Sequence, residues 1–130
     1  MKAPIRENTP KLIYIAGPFR ADTHWWVEQN CRIVEHYARL VFLAGGFPVA
    51  PHLIGRHLDG EVADDAALGG SIELMRRCDA ILLAPGWENS KGSLAEKAEA
   101  ERLGIRIFIA PPVHTGGLPV DFARMMRGQT

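Results

Sequence analysis

The chain has 130 residues, 47% hydrophobic and 23% charged, which is the composition of one globular domain with a sizeable core. Its formal net charge is zero, which argues against a general binder of nucleic-acid polymers or membrane surfaces but leaves local basic residues able to hold a small anion. No apolar run is long enough to span a bilayer.

Residues 1–10 are polar and proline-bearing, with no signal-peptide core. They are expected to be a short flexible lead-in to a single domain over residues 11–130. Lys11 to Ala16 reads as the first strand, because it is β-branched, aromatic and nearly continuous in apolar residues. Gly17-Pro18-Phe19-Arg20 breaks it. Asp22 or Thr23 then caps a long helix reaching about Leu43, with Trp26, Ile33, Tyr37, Leu40 and Ala44 as its expected buried face. Gly45-Gly46 ends that helix. Phe47 to Ala50 reads as a second strand, placed at a sheet edge by Pro48.

Residues 51–70 are the least patterned part of the chain, with one or two helical turns expected between Val62 and Leu68. Ser71 is expected to cap a helix from Ile72 to about Arg77. Ala80 to Ala84 is the third strand, and residues 85–96 form a loop leading into a helix that ends at Leu103 before Gly104. Residues 105–110 are the fourth strand, and Val120 to Met126 a short final helix whose Phe122, Met125 and Met126 pack on the body or on another subunit.

Alternation of strands and helices predicts an α/β fold, a Rossmann-like or flavodoxin-like doubly wound parallel sheet of four to five strands in the order 2-1-3-4. Strands 1 and 3 are then neighbours at the topological switch point, where such folds build their sites. The loops that leave them are residues 17–23 and 85–96. The first offers Gly17, Arg20 and Asp22; a guanidinium can hold a phosphate or carboxylate with two bonds. The second offers Ser90, Ser93 and the backbone of Gly92 beside a helix start, an anion-friendly place, and the ring of Trp87 for stacking on a base or sugar. Plainer roles compete: Arg20 as a surface charge, Trp87 as a cap on the core, Ser90 as a turn residue.

Ser93 and Glu96 have the S-x-x-E spacing of a capping box, which puts Glu96 at the third helical position. The same glutamate, kept ionised by the helix N-terminus, has the chemistry of a nucleophile. The two readings send the side chain in different directions, back onto Ser93 or out into a pocket. Cys31 and Cys78 show no metal-like pairing and are expected to be reduced and packed, as in a cytoplasmic protein; His24, His36, His52, His57 and His114 show no metal-ligand spacing. No metal or cofactor is expected. The chain has no G-x-G-x-x-G after its first strand, no G-x-x-x-x-G-K-[ST] and no G-x-S-x-G.

Tyr14-Ile-Ala-Gly-Pro-Phe-Arg20, Cys78-Asp79-Ala-Ile, and Gly92-Ser-x-x-Glu96 followed by Ala98 and Ala100 resemble the nucleoside 2-deoxyribosyltransferase superfamily, which includes 2'-deoxynucleoside 5'-phosphate N-hydrolases. Pro85-Gly-Trp-Glu-Asn-Ser90 is similar to a branch of small bacterial and phage-type members. The resemblance implies that Glu96 attacks the anomeric carbon of a sugar, with Tyr14 beside it, and that Arg20 and Ser90 touch a 5'-phosphate. It also implies a homodimer or dimer of dimers, to which the Trp25-Trp26 pair would contribute. The chain departs from the pattern at Ser71, where the relatives carry an aspartate, and at Pro18, where serine is frequent; a serine is neither a proton relay nor a strong acceptor as a carboxylate is. Three readings follow: an N-glycosidase or deoxyribosyltransferase-like enzyme acting on a nucleoside 5'-monophosphate or nucleoside, a nucleotide-binding or sensing module without catalysis, and an assembly protein.

Overall fold

The computed structural model describes residues 9–58, 60–112, 115 and 117–128. The expected lead-in therefore lies outside the described residues except for its last two, and His114 lies outside them too. The elements run β1 (Leu12–Ala16), α1 (His24–Leu43), β2 (Phe47–Val49), α2 (Pro51–Ile54), α3 (Asp64–Arg76), β3 (Ala80–Leu83), α4 (Lys91–Leu103), β4 (Arg106–Ile109) and α5 (Val120–Met126). A 3-10 turn over Trp87–Asn89 separates β3 from α4.

The four strands form one parallel sheet in the order β2-β1-β3-β4. Successive strand residues face opposite sides. Ile13 and Ile15 pack with Val34, Tyr37, Ala38 and Val41 of α1 and with Phe122 and Met125 of α5. Tyr14 and Ala16 pack on the other side with Met75 of α3 and Ala100 of α4. This parity decides the site, because it sends Tyr14 toward α4. Asp79 sets the register at the bottom of the sheet: its carboxylate accepts the Leu12 N–H at 2.7 Å, and its own N–H bonds the Leu12 carbonyl at 2.8 Å.

Three local expectations are corrected. The buried stripe of α1 is Val27, Cys31, Val34, Tyr37, Ala38 and Val41, while Trp26 and Ala44 are exposed. Small and β-branched residues let the helix approach the sheet closely, whereas an indole would hold it away. α3 starts at Asp64, not after Ser71, and its N-cap Ala63 makes no side-chain cap bond. It runs through Gly69-Gly70, because helical hydrogen bonding continues across glycine at about 1 kcal/mol each, and acidic Asp64 and Asp65 suit its first turn. Finally, α4 starts at Lys91 with Ser90 as its N-cap. Ser93 is thus the third helical residue and Glu96 the sixth, so the capping box does not form. The 20 residues before Ser71 also contain α2, with Pro51 at its first position.

Candidate functional site

Where the chain leaves β1 for α1 on one face of the sheet and β3 for α4 on the other, a cleft of about 640 Å³ opens at the C-terminal edge. That is within the roughly 300–1,000 Å³ of small-molecule sites. Tyr14, Gly17 and Arg20 line it from β1 and its loop, Asp64, Leu68 and Ser71 from α3, and Ser90, Gly92, Ser93 and Glu96 from the start of α4. Asp22 and Trp87 lie outside this lining. Asp22 is exposed ahead of α1, and Trp87 packs partly buried on the α3–α4 side of the core with the Lys97 ammonium 5.8 Å from its ring.

The two switch-point loops touch. Gly86 has φ of +92°, and a Cβ there would come 2.9 Å from Cγ of Pro18. Glycine is required twice over, for the left-handed backbone and for the contact. Gly17 likewise leaves only 3.2 Å between a built Cβ and Ala84. His52, which falls in the segment with the least sequence pattern, braces the same region from α2. Its Nε2 lies 2.8 Å from the Gly17 carbonyl and 3.1 Å from that of Pro18, so it carries the proton and donates. Burial lowers its pKa and keeps the ring neutral, against the two carbonyl bonds that favour the cation. Proline opening a helix after a short strand was the available signal for α2, but nothing local pointed the histidine at the β1 loop.

On the cleft floor the Tyr14 hydroxyl donates a hydrogen bond to the Glu96 carboxylate, and both groups are buried. Burial raises the Glu96 pKa to about 7, only partly opposed by the Tyr14 bond. Burial, together with the neighbouring Glu96 charge, pushes the Tyr14 phenol well above its ordinary range, so it stays a donor. The Ser71 hydroxyl is bonded to the same phenol. Glu96 is therefore not a cap folded onto Ser93. The helix dipole acts mainly within the first turn, and at the sixth position desolvation outweighs it. This carboxylate is poised between its charged and neutral forms near neutral pH.

The rim is different in kind. Arg20 donates to Asp64 across the cleft mouth, with both side chains largely in solvent. Ser90 Oγ accepts the Ser93 N–H at 3.1 Å, which leaves its own O–H to donate. Among the described residues no three His, Cys, Asp or Glu side chains come together to hold a metal ion. No helix in the described residues is long and apolar enough to cross a membrane.

Comparison with family models matches residues 11–110 to a domain of unknown function, DUF7768. The chain belongs to the DUF7768 family. No curated protein matches this DUF7768 sequence. Among solved structures it is similar to a 2-desoxiribosyltransferase from Leishmania mexicana, with a TM-score of 0.56 and 23% identity over 77% of this chain and 63% of that one. The DUF7768 chain thus spans less than two thirds of that protein's length. The likeness is one of fold, and the strand order 2-1-3-4 with helices on both faces matches it.

Proposed function

We propose that this protein cleaves the N-glycosidic bond of a nucleoside 5'-monophosphate or nucleoside, with Glu96 as nucleophile. The observation that carries this reading is the buried Glu96 carboxylate, bonded by Tyr14 and lining a ligand-sized cleft at the switch point. In the ionised state a Glu96 oxygen attacks the anomeric carbon and forms a glycosyl ester. The bond to the base breaks, and the base leaves with its electron pair and takes a proton from water. Water then hydrolyses the ester, or a second base displaces the glutamate and completes a transfer. Two inversions retain configuration. Tyr14 donates to the carboxylate, offsets part of the cost of its burial and fixes its rotamer. The fold shared with a 2-desoxiribosyltransferase is consistent with this chemistry.

Arg20 and Ser90 are proposed to take the phosphate. Arg20 supplies a charge-assisted bond after leaving Asp64, and Ser90 donates its free O–H from the helix N-terminus. The exposed Trp25 and Trp26, 61% and 56% accessible with their rings edge to face at 4.8 Å, support a homodimer or dimer of dimers; a single monomeric mass by light scattering would refute that assembly.

A second reading is a nucleotide-binding module without turnover. Ser71 favours it, because on the floor of the cleft it places a hydroxyl, not a second carboxylate, against Tyr14. Release of free base from a panel of nucleotides, measured beside calorimetric binding, separates the two. Turnover together with a glycosyl adduct on Glu96, trapped with a slow 2-fluoro sugar, supports the enzyme; binding without either supports the module.

A further inference from the structure

Almost all the polar side chains on the cleft floor have spent their hydrogen bonds inside the protein. Tyr14 donates to Glu96, Ser71 bonds Tyr14, and His52 donates to Gly17. Ser93 is different. It is 1% exposed and lines the cleft, yet its Oγ has no partner. Among the described residues the other buried side-chain polar atom in this condition is His36 Nε2, on α1 and outside the lining of the cleft. Burying a hydroxyl without a partner destabilises a fold, and alanine would fill nearly the same space without that penalty. A need for a small side chain here therefore does not account for the oxygen.

The position of Ser93 says what its partner must be like. Ser93 and Glu96 are three apart on α4, so their side chains are neighbours on one helix face, with Cβ atoms about 5–6 Å apart. A ligand atom that reaches Ser93 Oγ is thus beside the carboxylate. An anion there meets the Glu96 charge in a desolvated place and is disfavoured. A neutral hydroxyl suits both groups, since it can donate to the carboxylate and accept from the serine.

We propose that Ser93 is a specificity-determining residue whose Oγ hydrogen-bonds a sugar hydroxyl of the ligand beside Glu96. The ligand class is then a hydroxylated pentose that presents its ring, not its phosphate, to this end of the cleft. This inference rests on the nucleoside or nucleotide reading above, and it adds to that reading the group that recognises the sugar.

The test pairs a protein hydroxyl with a ligand hydroxyl. Binding of a ribonucleoside 5'-monophosphate and of its 2'-deoxy and 3'-deoxy counterparts is measured by calorimetry for the unaltered protein and for Ser93→Ala. A site that hydrogen-bonds a hydroxyl discriminates against the analogue that lacks it. The unaltered protein should prefer one hydroxylated ligand by about tenfold, as one good hydrogen bond in a buried site allows. Ser93→Ala should erase that preference while its melting temperature stays level or rises. Ser93→Cys, which keeps the volume but bonds weakly, should lose the same preference, so a folding defect in one variant does not decide the outcome. An undiminished preference in both variants, or an equal loss for all three ligands, overturns the assignment of Ser93. Failure of the unaltered protein to bind any of the three overturns the nucleotide reading itself.

Discussion

On one side of the cleft, Tyr14, Ser93 and Glu96 sit buried on a central strand and a packed helix, and the Tyr14–Glu96 bond ties that strand to that helix. On the other, Arg20 and Asp64 meet with 51% and 71% of their side chains exposed, at the start of a helix whose first residues are almost all in water. The helix α3 itself divides in two. Its C-terminal half holds the buried Met75 and is tied to α4 through Arg76 and Glu99 at 2.6 Å. Its N-terminal half precedes Gly69-Gly70, where a built Cβ would touch nothing within 4 Å. No packing demands glycine there, so the pair only weakens the helix. The floor is preorganised, as the proposed chemistry would require; the rim is held by an exposed ion pair and a helix that its glycines weaken.

The largest expected effect belongs to the floor. If Glu96 is the nucleophile, Glu96→Gln lowers base release about a thousandfold or more, which is roughly 4 kcal/mol of barrier, while calorimetric binding of the nucleotide stays nearly unchanged. In the unaltered enzyme the rate should rise as pH passes through about 7, because the attacking form is the carboxylate. Tyr14→Phe removes the bond that holds the Glu96 pKa down, so this limb of the profile should move to higher pH. Full activity in the glutamine variant would make the floor a packing feature like any other.

The same carboxylate carries a stability signature. Its folded pKa, about 7, lies above the ordinary 4.5. The folded state then holds the proton more tightly than the unfolded chain. The resulting stabilisation is full below about pH 4.5, falls as pH rises, and is gone above about 7. The gap corresponds to about 3 kcal/mol. Glu96→Gln keeps an acceptor for Tyr14 and carries no charge, so denaturant melts should find it more stable than the unaltered protein at pH 8 and little different at pH 4. Equal stability at both values would mean that Glu96 is not desolvated.

Rim changes should be smaller. Arg20→Ala is expected to weaken binding of a nucleoside monophosphate about tenfold more than that of the matching nucleoside, near 1.4 kcal/mol. Equal losses would remove phosphate from the role of Arg20. Gly69→Ala and Gly70→Ala should each stabilise the protein by about 0.5–1 kcal/mol and slow hydrogen exchange in the N-terminal half of α3. Destabilisation by either would show that the glycines are needed for packing. Asp64→Asn should change stability by less than about 1 kcal/mol, since an exposed ion pair is worth no more; a larger loss in urea melts would mean that the rim is as firmly built as the floor.

The sheet was legible because its signals are local and repeated. β-branched runs such as residues 12–16, punctuating glycines at Gly45-Gly46 and Gly104, and the handedness of crossovers fix the order 2-1-3-4 and bring the two loops together. Less of the site could be read. Residue types and their loops pointed to Arg20, Ser90 and Glu96, the family resemblance added Tyr14, and all four line one cleft. The same reasoning assigned Ser93 the cap that Ser90 makes, and read Gly69-Gly70 and Ser71 as a helix boundary where the helix in fact continues.

Sequence alone thus determined which segments become strands and where the loops emerge, since each depends on a period or a turn residue within a few positions. Tertiary structure alone decided the rest. Whether Glu96 is charged depends on how completely strand and helix exclude water around it, and Tyr14 is 82 residues away along the chain. His52 bracing Gly17, Ser71 bonding Tyr14 and the orphan hydroxyl of Ser93 are likewise properties of distance and solvent access. Desolvation and pairing are set by everything that surrounds a side chain, and no local pattern of residues encodes them.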